Sequence, residues 1–281
     1  MNDKLLRCLG FCEMQHILNK KCRFVLPSKS GMTHLAIDIN TNAVRFVKLN
    51  GNFVVSERAF AFQEKQDYRY KAQLEEFWKQ TEWKETDFEK ATLSWSEKQN
   101  VVVPANVFNE SDKNAIFNLA YGTSVSLDEV DYNRLPMQNM VNVFFIPAWV
   151  KSFFVLRFPR IVLQHEATHL IRGVFEGPTF KLKSTLVLHQ EHLVLMVLKE
   201  NNLKFYSSFD YATLEDVVYY FSYSMQQLEL NEQPGELEIT NGVGSEVDLA
   251  ALQALIEKVQ GNNCTVKQSH SLVEKYQSTC V

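Results

Sequence analysis

Two stretches of the chain carry the same order of hydrophobic and polar positions. Residues 33–62 and 184–211 each contain three short apolar runs with alternating polar positions, a pattern typical of half-buried strands. Asn50-Gly51 separates the last two runs of the first stretch and favours a hairpin, because glycine accepts a positive φ. Asn201-Asn202 stands at the corresponding place in the second stretch. Each stretch is therefore predicted to form a three-stranded antiparallel meander.

Helical spacing follows each meander. Tyr70, Leu74, Phe77 and Trp78 lie on one face of a first helix, and Thr213 is placed to cap a longer second one. The apolar stripe of that longer helix is formed by Leu214, Val217, Val218, Phe221, Met225 and Leu228. Further strands are predicted at ATLSWS, NVVVPANVF, NMVNVFFIP, RIVLQ, ELEITNGVG and CTVKQ. Shorter helices are predicted after an N-cap at Ser111, at Pro147–Phe154, at Leu170–Phe175 and after an N-cap at Ser245.

The repeated order of elements predicts the fold class. Strands and helices alternate in two β-β-β-α-β-α blocks, which indicates an α/β protein built by internal duplication. We expect a first lobe over residues 32–180 and a second lobe over 181–281. Residues 1–31 are expected to form an N-terminal extension, for which disorder is one interpretation.

Composition narrows the classes of partner. The chain has 281 residues, 46% of them hydrophobic, a net charge of −4 and a pI near 6.0. Because there is no basic stripe, no nucleic-acid partner is expected. The longest apolar runs, such as Val143–Pro147 and Leu193–Leu198, are too short to span a bilayer. Five scattered cysteines do not resemble a disulfide framework, so a reducing, cytoplasmic setting is predicted.

The N-terminal residues allow two interpretations. Cys8, Cys12, His16 and Cys22 could supply three thiolates and an imidazole to zinc, although their spacing fits no common zinc motif. The preferred interpretation is a short, frayed or amphipathic extension with reduced thiols.

The stretch Asp38-Ile39-Asn40-Thr41-Asn42-Ala43-Val44-Arg45 lies at the first predicted hairpin. Together with the duplicated blocks, it resembles the actin-like ATPase superfamily, which includes actin, sugar kinases and heat-shock 70 chaperones. Pilus-assembly actin-like proteins and an uncharacterised bacterial family with this fold are the nearest resemblances. The resemblance covers roughly residues 33–268 and implies two RNase H-like lobes with a cleft between them.

The resemblance also implies a nucleotide site, and the chain departs from it at several positions. The superfamily places Asp-x-Gly-Thr/Ser in the first hairpin, where Asp38 and Thr41 match, Asn40 replaces the glycine, and Arg45 stands where the pilus-type proteins have lysine. The second hairpin, His189-Gln190-Glu191, lacks the acidic residue, and Glu191 brings a negative charge to it. Any bound nucleotide, with ATP and magnesium as the implied ligands, would contact Asp38, Asn40, Thr41, Arg45, Gly242 and Gly244.

A second candidate site is the string His165-Glu166-Ala167-Thr168-His169, which has the spacing of a zinc peptidase motif. That chemistry requires both histidines on one face of a helix, whereas Ile161-Val162 favours a strand that runs into His165. Thr168 could cap a helix that begins only at His169. We therefore expect no metal site, and two partly buried histidines near the junction of the lobes. A site formed by His165, Glu166 and His169 remains the alternative.

These observations favour a non-catalytic function over an enzymatic one. His189 and His192 are predicted to point to opposite faces of a strand, and no nucleophile–base pair can be assembled from spacing. We expect a cytoplasmic scaffold or protein-interaction module on a degenerate actin-like fold, a pseudo-ATPase with another protein as its partner and no cofactor. The alternatives are a nucleotide-binding actin-like ATPase and, second, a zinc metallopeptidase.

Overall fold

The structure describes most of the chain from residue 33 onward. The structure, a computed structural model, describes residues 33–122, 129–177, 180–260, 263–271 and 276–277. These belong to one compact unit, Met32–Val281. The predicted N-terminal extension, with Cys8, Cys12, His16 and Cys22, lies outside the described residues.

The first lobe is built on a five-stranded sheet. Its strands lie side by side in the order β3-β2-β1-β4-β8, with β1, β4 and β8 parallel and the β1-β2-β3 meander antiparallel. The predicted first meander is thus confirmed, and Gly51 takes a φ of +57° at its second turn. The elements of this sheet and the helices of its lobe are β1 (Thr33–Ile39), β2 (Ala43–Asn50), β3 (Phe53–Ala61), α1 (Asp67–Gln80), β4 (Lys90–Trp95), α3 (Ala148–Arg157), β8 (Val162–His165) and α4 (Glu166–Val174).

A smaller three-stranded sheet is inserted in the sequence between β4 and β8. Its strands follow the order β5-β7-β6, all antiparallel. Its elements are β5 (Asn100–Pro104), α2 (Lys113–Tyr121), β6 (Val130–Leu135) and β7 (Met140–Phe145).

The second lobe repeats the topology of the first. Its sheet has the order β11-β10-β9-β12-β13, which matches β3-β2-β1-β4-β8 strand for strand. The duplication predicted from the sequence is therefore present in the fold. Its elements are β9 (Leu182–Leu188), β10 (His192–Lys199), β11 (Asn202–Asp210), α5 (Leu214–Gln227), β12 (Gly235–Asn241), α6 (Leu249–Gln260) and β13 (Cys264–Gln268).

Each of the two large sheets packs against helices around its own apolar core, and a third core lies between the lobes. In the first lobe, α1 and α3 bury aromatic residues, including Trp78 and Phe154, against the sheet. In the second, α5 and α6 cover the equivalent face through residues such as Phe221 and Ile256. Helix α4 packs in the third core, where Leu170 and its neighbours contact β9 and β10 of the second lobe. This helix therefore joins the two halves of the duplicated fold.

Three of the residues predicted as helix N-caps are wrong. Asp112, not Ser111, precedes α2, and Ser111 Oγ donates to the Asp112 carboxylate instead. Asp248, not Ser245, accepts the free amides at the start of α6. Helix α4 begins at Glu166 rather than near His169, with His165 as its N-cap in place of Thr168. The cap at Thr213 is confirmed, because its hydroxyl accepts the Asp216 amide and the Asp216 carboxylate accepts the Thr213 amide.

Among the residues that the structure describes, no helix is both long enough and apolar enough to cross a membrane.

Candidate functional site

The first hairpin, between β1 and β2, is closed by Asn40. The Asn40 side-chain carbonyl accepts hydrogen bonds from the backbone amides of Asn42 and Ala43, at 2.8 and 2.7 Å. Its side-chain amide donates to the Val243 carbonyl of the second lobe at 3.0 Å. Asn40 is thus more than a replacement for glycine, because the same side chain shapes the turn and ties it to the other lobe.

Glu97 occupies the donors that the actin-like resemblance assigns to a phosphate. The Thr41 backbone amide and the Thr41 hydroxyl both donate to Glu97 Oε1, at 2.8 and 2.6 Å. Glu97 lies just beyond the end of β4, which runs parallel to β1, so the two strand ends bring it beside the hairpin. The Glu97 carboxylate therefore accepts both hydrogen bonds that Thr41 would otherwise have available for a bound anion.

Asp38, at the end of β1, is buried and held by two side chains. Ser96 Oγ donates to Asp38 Oδ1 at 2.5 Å, and Arg45 Nη2 lies 3.3 Å from Asp38 Oδ2. Arg45 is the cross-strand partner of Asp38 in the antiparallel pair, and it also donates to Ser271 Oγ at 2.6 Å. Burial raises the pKa of Asp38, against the opposing effect of Arg45. The opposite charges of Asp38 and Arg45 are therefore paired with each other across the two strands.

The second hairpin, between β9 and β10, places a histidine where the superfamily has an acidic residue. His189 Nε2 lies 2.9 and 3.1 Å from the two carboxylate oxygens of Glu166, and both side chains are 1% exposed. Burial is the largest single effect and opposes a charge on His189. The Glu166 carboxylate, together with the more distant Asp38 and Glu97, outweighs it, so the pKa of His189 is raised. This ion pair runs from α4 of the first lobe to the second hairpin.

The prediction that His189 and His192 point to opposite faces is wrong. They flank a two-residue turn, and their rings stack with centroids 4.4 Å apart and planes 15° from parallel. The alternation rule holds along one strand, whereas His189 follows the end of β9 and His192 begins β10, on the two arms of the hairpin. Burial, followed by the nearby His189, lowers the pKa of His192 to about 2, so the ring is neutral.

The glycine loop after β12 fits closely against both hairpins. A side chain at Gly242 would come within 2.4 Å of the His189 ring, and one at Gly244 within 2.7 Å of the Ala43 side chain. Gly244 also has a φ of +75°, a conformation that favours glycine. These two glycines therefore allow the loop to approach the hairpins, in addition to forming a strand-to-helix turn.

The His165-Glu166-Ala167-Thr168-His169 string serves the lobe junction. His165 Nδ1 accepts the Ala167 amide at 3.0 Å, and its Nε2 donates to the Glu97 carbonyl at 2.8 Å, so both ring nitrogens are used. Glu166 is engaged by His189. Burial lowers the pKa of His165 to about 4 and that of His169 to about 3, the latter with help from Arg172. Both histidines are fully buried and neutral, on the end of a strand and inside a helix respectively.

A buried chain of amide and hydroxyl groups links this string to the second lobe. Tyr206 donates to Asn100, Asn100 to Asn142, Asn142 to Thr168 and Thr168 to Asn133, over distances of 2.8 to 3.1 Å. Asn133 also accepts the His165 amide at 2.9 Å. The sequence did not single out these asparagines, because they come from strands that only the folded chain brings together.

The geometry gives no zinc site at this string. In the ranges that the structure describes, no three histidine, cysteine, aspartate or glutamate side chains are grouped so as to hold a metal ion. The two histidines lie on different elements, and the glutamate that would act as a base is bound by His189.

The residues present also do not fit a magnesium-bound triphosphate. The Thr41 donors face Glu97, the Asn40 side chain fills the first turn, and His189 replaces the acidic residue of the second. A pocket of about 500 Å³ lies beside the first hairpin, between β2, β3 and the glycine loop. Its lining includes Glu57 and Glu246, which repel phosphate, together with Arg45 and His270.

Known structures share this architecture. A Bacteroides thetaiotaomicron protein with actin-like ATPase fold and unknown function is 20% identical, with 90% of this chain and 98% of that chain covered at a TM-score of 0.68. The PilM-PilN type IV pilus biogenesis complex contains a chain 11% identical, with 89% and 90% covered at a TM-score of 0.56. No curated protein sequence matches significantly. The chain therefore has the two-lobed actin-like ATPase fold.

Sequence comparison gives a family assignment that agrees with this fold. The match spans residues 25–259, which include both hairpins, the glycine loop and the string from His165 to His169. Over this span the chain belongs to the family described as "Protein of unknown function (DUF3822)".

Proposed function

We propose that this protein is a non-catalytic protein-interaction module that retains the actin-like fold but not its nucleotide chemistry. The observation that carries the proposal is the contact of Glu97 with the amide and hydroxyl of Thr41. An internal carboxylate satisfies these donors permanently, so an incoming phosphate would have to displace it and meet its charge. We therefore place the protein among pseudo-ATPases and expect no turnover of ATP.

Contacts across the cleft support the same proposal. Asn40 to Val243, Glu166 to His189, and the close approach of Gly244 to Ala43 link the lobes where a nucleotide would otherwise separate them. Buried contacts of this kind favour one fixed arrangement of the lobes. A fixed surface suits recognition of another macromolecule better than a catalytic cycle does.

A protein is the partner that we favour. The net charge of −4 gives nucleic acid no electrostatic attraction. The PilM-PilN complex, which shares the fold, joins one protein to another and offers a precedent for this use. We expect the partner to be met in the cytoplasm.

Equilibrium binding of ATP with magnesium tests the nucleotide half of the proposal. Titration calorimetry on the full chain is expected to give no heat of binding at millimolar ATP, and phosphate release is expected to stay at the background rate. The Glu97→Gln variant keeps the size of the side chain and removes its charge, and it provides the matched comparison. Saturable binding by the wild-type protein would contradict the proposal and favour the nucleotide-binding alternative.

Capture of a partner tests the other half. Cross-linking in cells of the source organism, followed by reconstitution of the purified pair, is expected to yield a protein that binds with a defined stoichiometry in the absence of nucleotide. A partner that binds only when ATP is present would contradict the proposal.

A further inference from the structure

The Glu166–His189 ion pair is the one buried contact between opposite charges that the described residues place between the lobes. Glu166 opens α4 in the first lobe, and His189 begins the second hairpin in the second lobe. His189 Nε2 lies 2.9 and 3.1 Å from the two carboxylate oxygens of Glu166, and each side chain is 1% exposed. The pair is therefore shielded from water and from salt.

Within the part of the chain that the structure describes, His189 is the basic partner of Glu166. Arg45 is engaged by Asp38 and Ser271. Lys98 pairs with Asp210 at 2.7 Å. The titratable groups that act on His189 from the surrounding elements include Asp38 on β1, Glu97 after β4, His165 at the end of β8, Glu166 on α4 and His192 on β10. Arg45 and Lys98 act on two of its neighbours, Asp38 and His192 respectively.

The charge of the cluster depends on one proton. With His189 protonated, Glu166 is neutralised at hydrogen-bond distance. Without that proton, Glu166 becomes a buried carboxylate that has lost its counter-charge, and the acid Asp38 lies near it. A buried charge without its partner is strongly destabilising. It is relieved either by taking up a proton or by reaching water, and a rising pH opposes the first of these.

The neighbours of the His189 ring prevent it from rotating away from Glu166. His192 stacks on it at 4.4 Å, and Gly242 lies so close that a Cβ there would overlap the ring. The ring, the hairpin and the glycine loop therefore move together, and hydration of Glu166 requires the second hairpin to move away from α4.

We propose that the Glu166–His189 pair is a proton-operated latch, which holds the two lobes together while His189 carries a proton and releases them at this contact when the proton is lost. The latch goes beyond the proposed function, because it concerns how the lobes move rather than what binds to them. Its release would free the carboxylate and the glycine loop at the base of the cleft.

The direction of the pH dependence follows from the raised pKa of His189. A histidine whose pKa is raised by a contact strengthens that contact fully below its ordinary value, and the effect is lost as the pH rises through the raised value. The contact between the lobes is therefore strongest below the ordinary pKa of histidine and weakens as the pH rises through the raised pKa of His189.

Imidazole NMR on the full chain tests the charge state. The chain has seven histidines, and the ring signals of His189 are assigned by their absence in His189→Gln. We expect the His189 ring to lose its proton at a lower pH in Glu166→Gln than in the wild-type protein, because the counter-charge that opposes the effect of burial is then removed. The same titration of His189 in both proteins would overturn the proposal.

Hydrogen exchange tests the movement. After correction for the intrinsic rise in exchange rate, the amides of residues 186–192 and 241–245 are expected to open more readily by up to about tenfold per pH unit above the transition. The double variant Glu166→Gln/His189→Gln keeps a hydrogen-bonding pair without charge and is expected to remove this dependence, whereas His270→Gln retains it. If the double variant, shown by circular dichroism to be folded, keeps the wild-type pH dependence, the latch is refuted.

Discussion

Acidification should destabilise this protein through histidines that are buried in the neutral form. His34, His165, His169 and His192 have their pKa values lowered by burial to about 4, 4, 3 and 2. A lowered pKa contributes stability that is present above the ordinary value of about 6.5 and is lost as the pH falls toward the folded value. The window for this loss therefore opens just below neutral pH.

The size of the effect follows from the number of groups. Between about pH 7.5 and about pH 5.5, each neutral buried histidine loses roughly 1.4 kcal/mol of stability, so four lose roughly 5.5 kcal/mol. His189 has a raised pKa and changes in the opposite sense, which recovers up to roughly 1.4 kcal/mol. The net loss is about 4 kcal/mol, a large part of the roughly 5 to 15 kcal/mol that a folded protein has.

Urea unfolding followed by tryptophan fluorescence at several pH values measures this loss directly. His169→Leu removes one of the titrating groups, and its stability is expected to fall by about 1.4 kcal/mol less than that of the wild-type protein over the same pH interval. The exposed His270→Gln variant is expected to follow the wild-type curve. Equal stability at the two pH values in the wild-type protein, or an unchanged slope in His169→Leu, would refute the reasoning.

Three substitutions test other parts of the structure, each by its free energy of unfolding in urea. Gly173→Ala is expected to cost about 1 to 3 kcal/mol, because the added methyl would lie 2.1 Å from the Tyr276 ring; Gly177→Ala is its control, and equal values for the two would contradict the contact. Gly244→Ala should cost more than Gly122→Ala, since both have a positive φ but only Gly244 meets Ala43; an equal cost would argue against the close approach of the lobes. Thr213→Ala is expected to lose about 1 kcal/mol through its capping box, and no loss would show that the cap is dispensable.

The sequence predicted the duplicated framework because its strands and helices carry strong periodic patterns. Both meanders, α1 and α5 follow directly from apolar spacing. Strands β1 and β10 and one face of each helix are buried, whereas the outer strand β3 is largely exposed. Strand β6 was missed because Asp131, Asn133 and Arg134 make it polar, and it is held by its pairing with β7. The early start of α4 was missed because a buried Glu166 is stabilised by a partner that is distant in sequence.

The site residues were predicted less completely for a similar reason. The hairpin motif pointed to Asp38, Asn40, Thr41 and Arg45, and the structure brings these together with Gly242 and Gly244. Glu97 belongs to no motif, and only the parallel pairing of β4 with β1 carries it to Thr41. A signal was available, since an acidic residue just past the strand beside β1 lies next to the first hairpin in this topology. The partnership of His189 with Glu166 had no such local signal.

The most direct test of the account is the thermal midpoint of the full chain with and without millimolar ATP and magnesium. A ligand present at about 100 times its dissociation constant adds roughly 2.7 kcal/mol, which raises the midpoint by a few degrees for a protein of this size. With Glu97 on the Thr41 donors, we predict the same midpoint in both conditions. A rise of several degrees that disappears in Asp38→Asn would contradict the account and make this protein a nucleotide-dependent one.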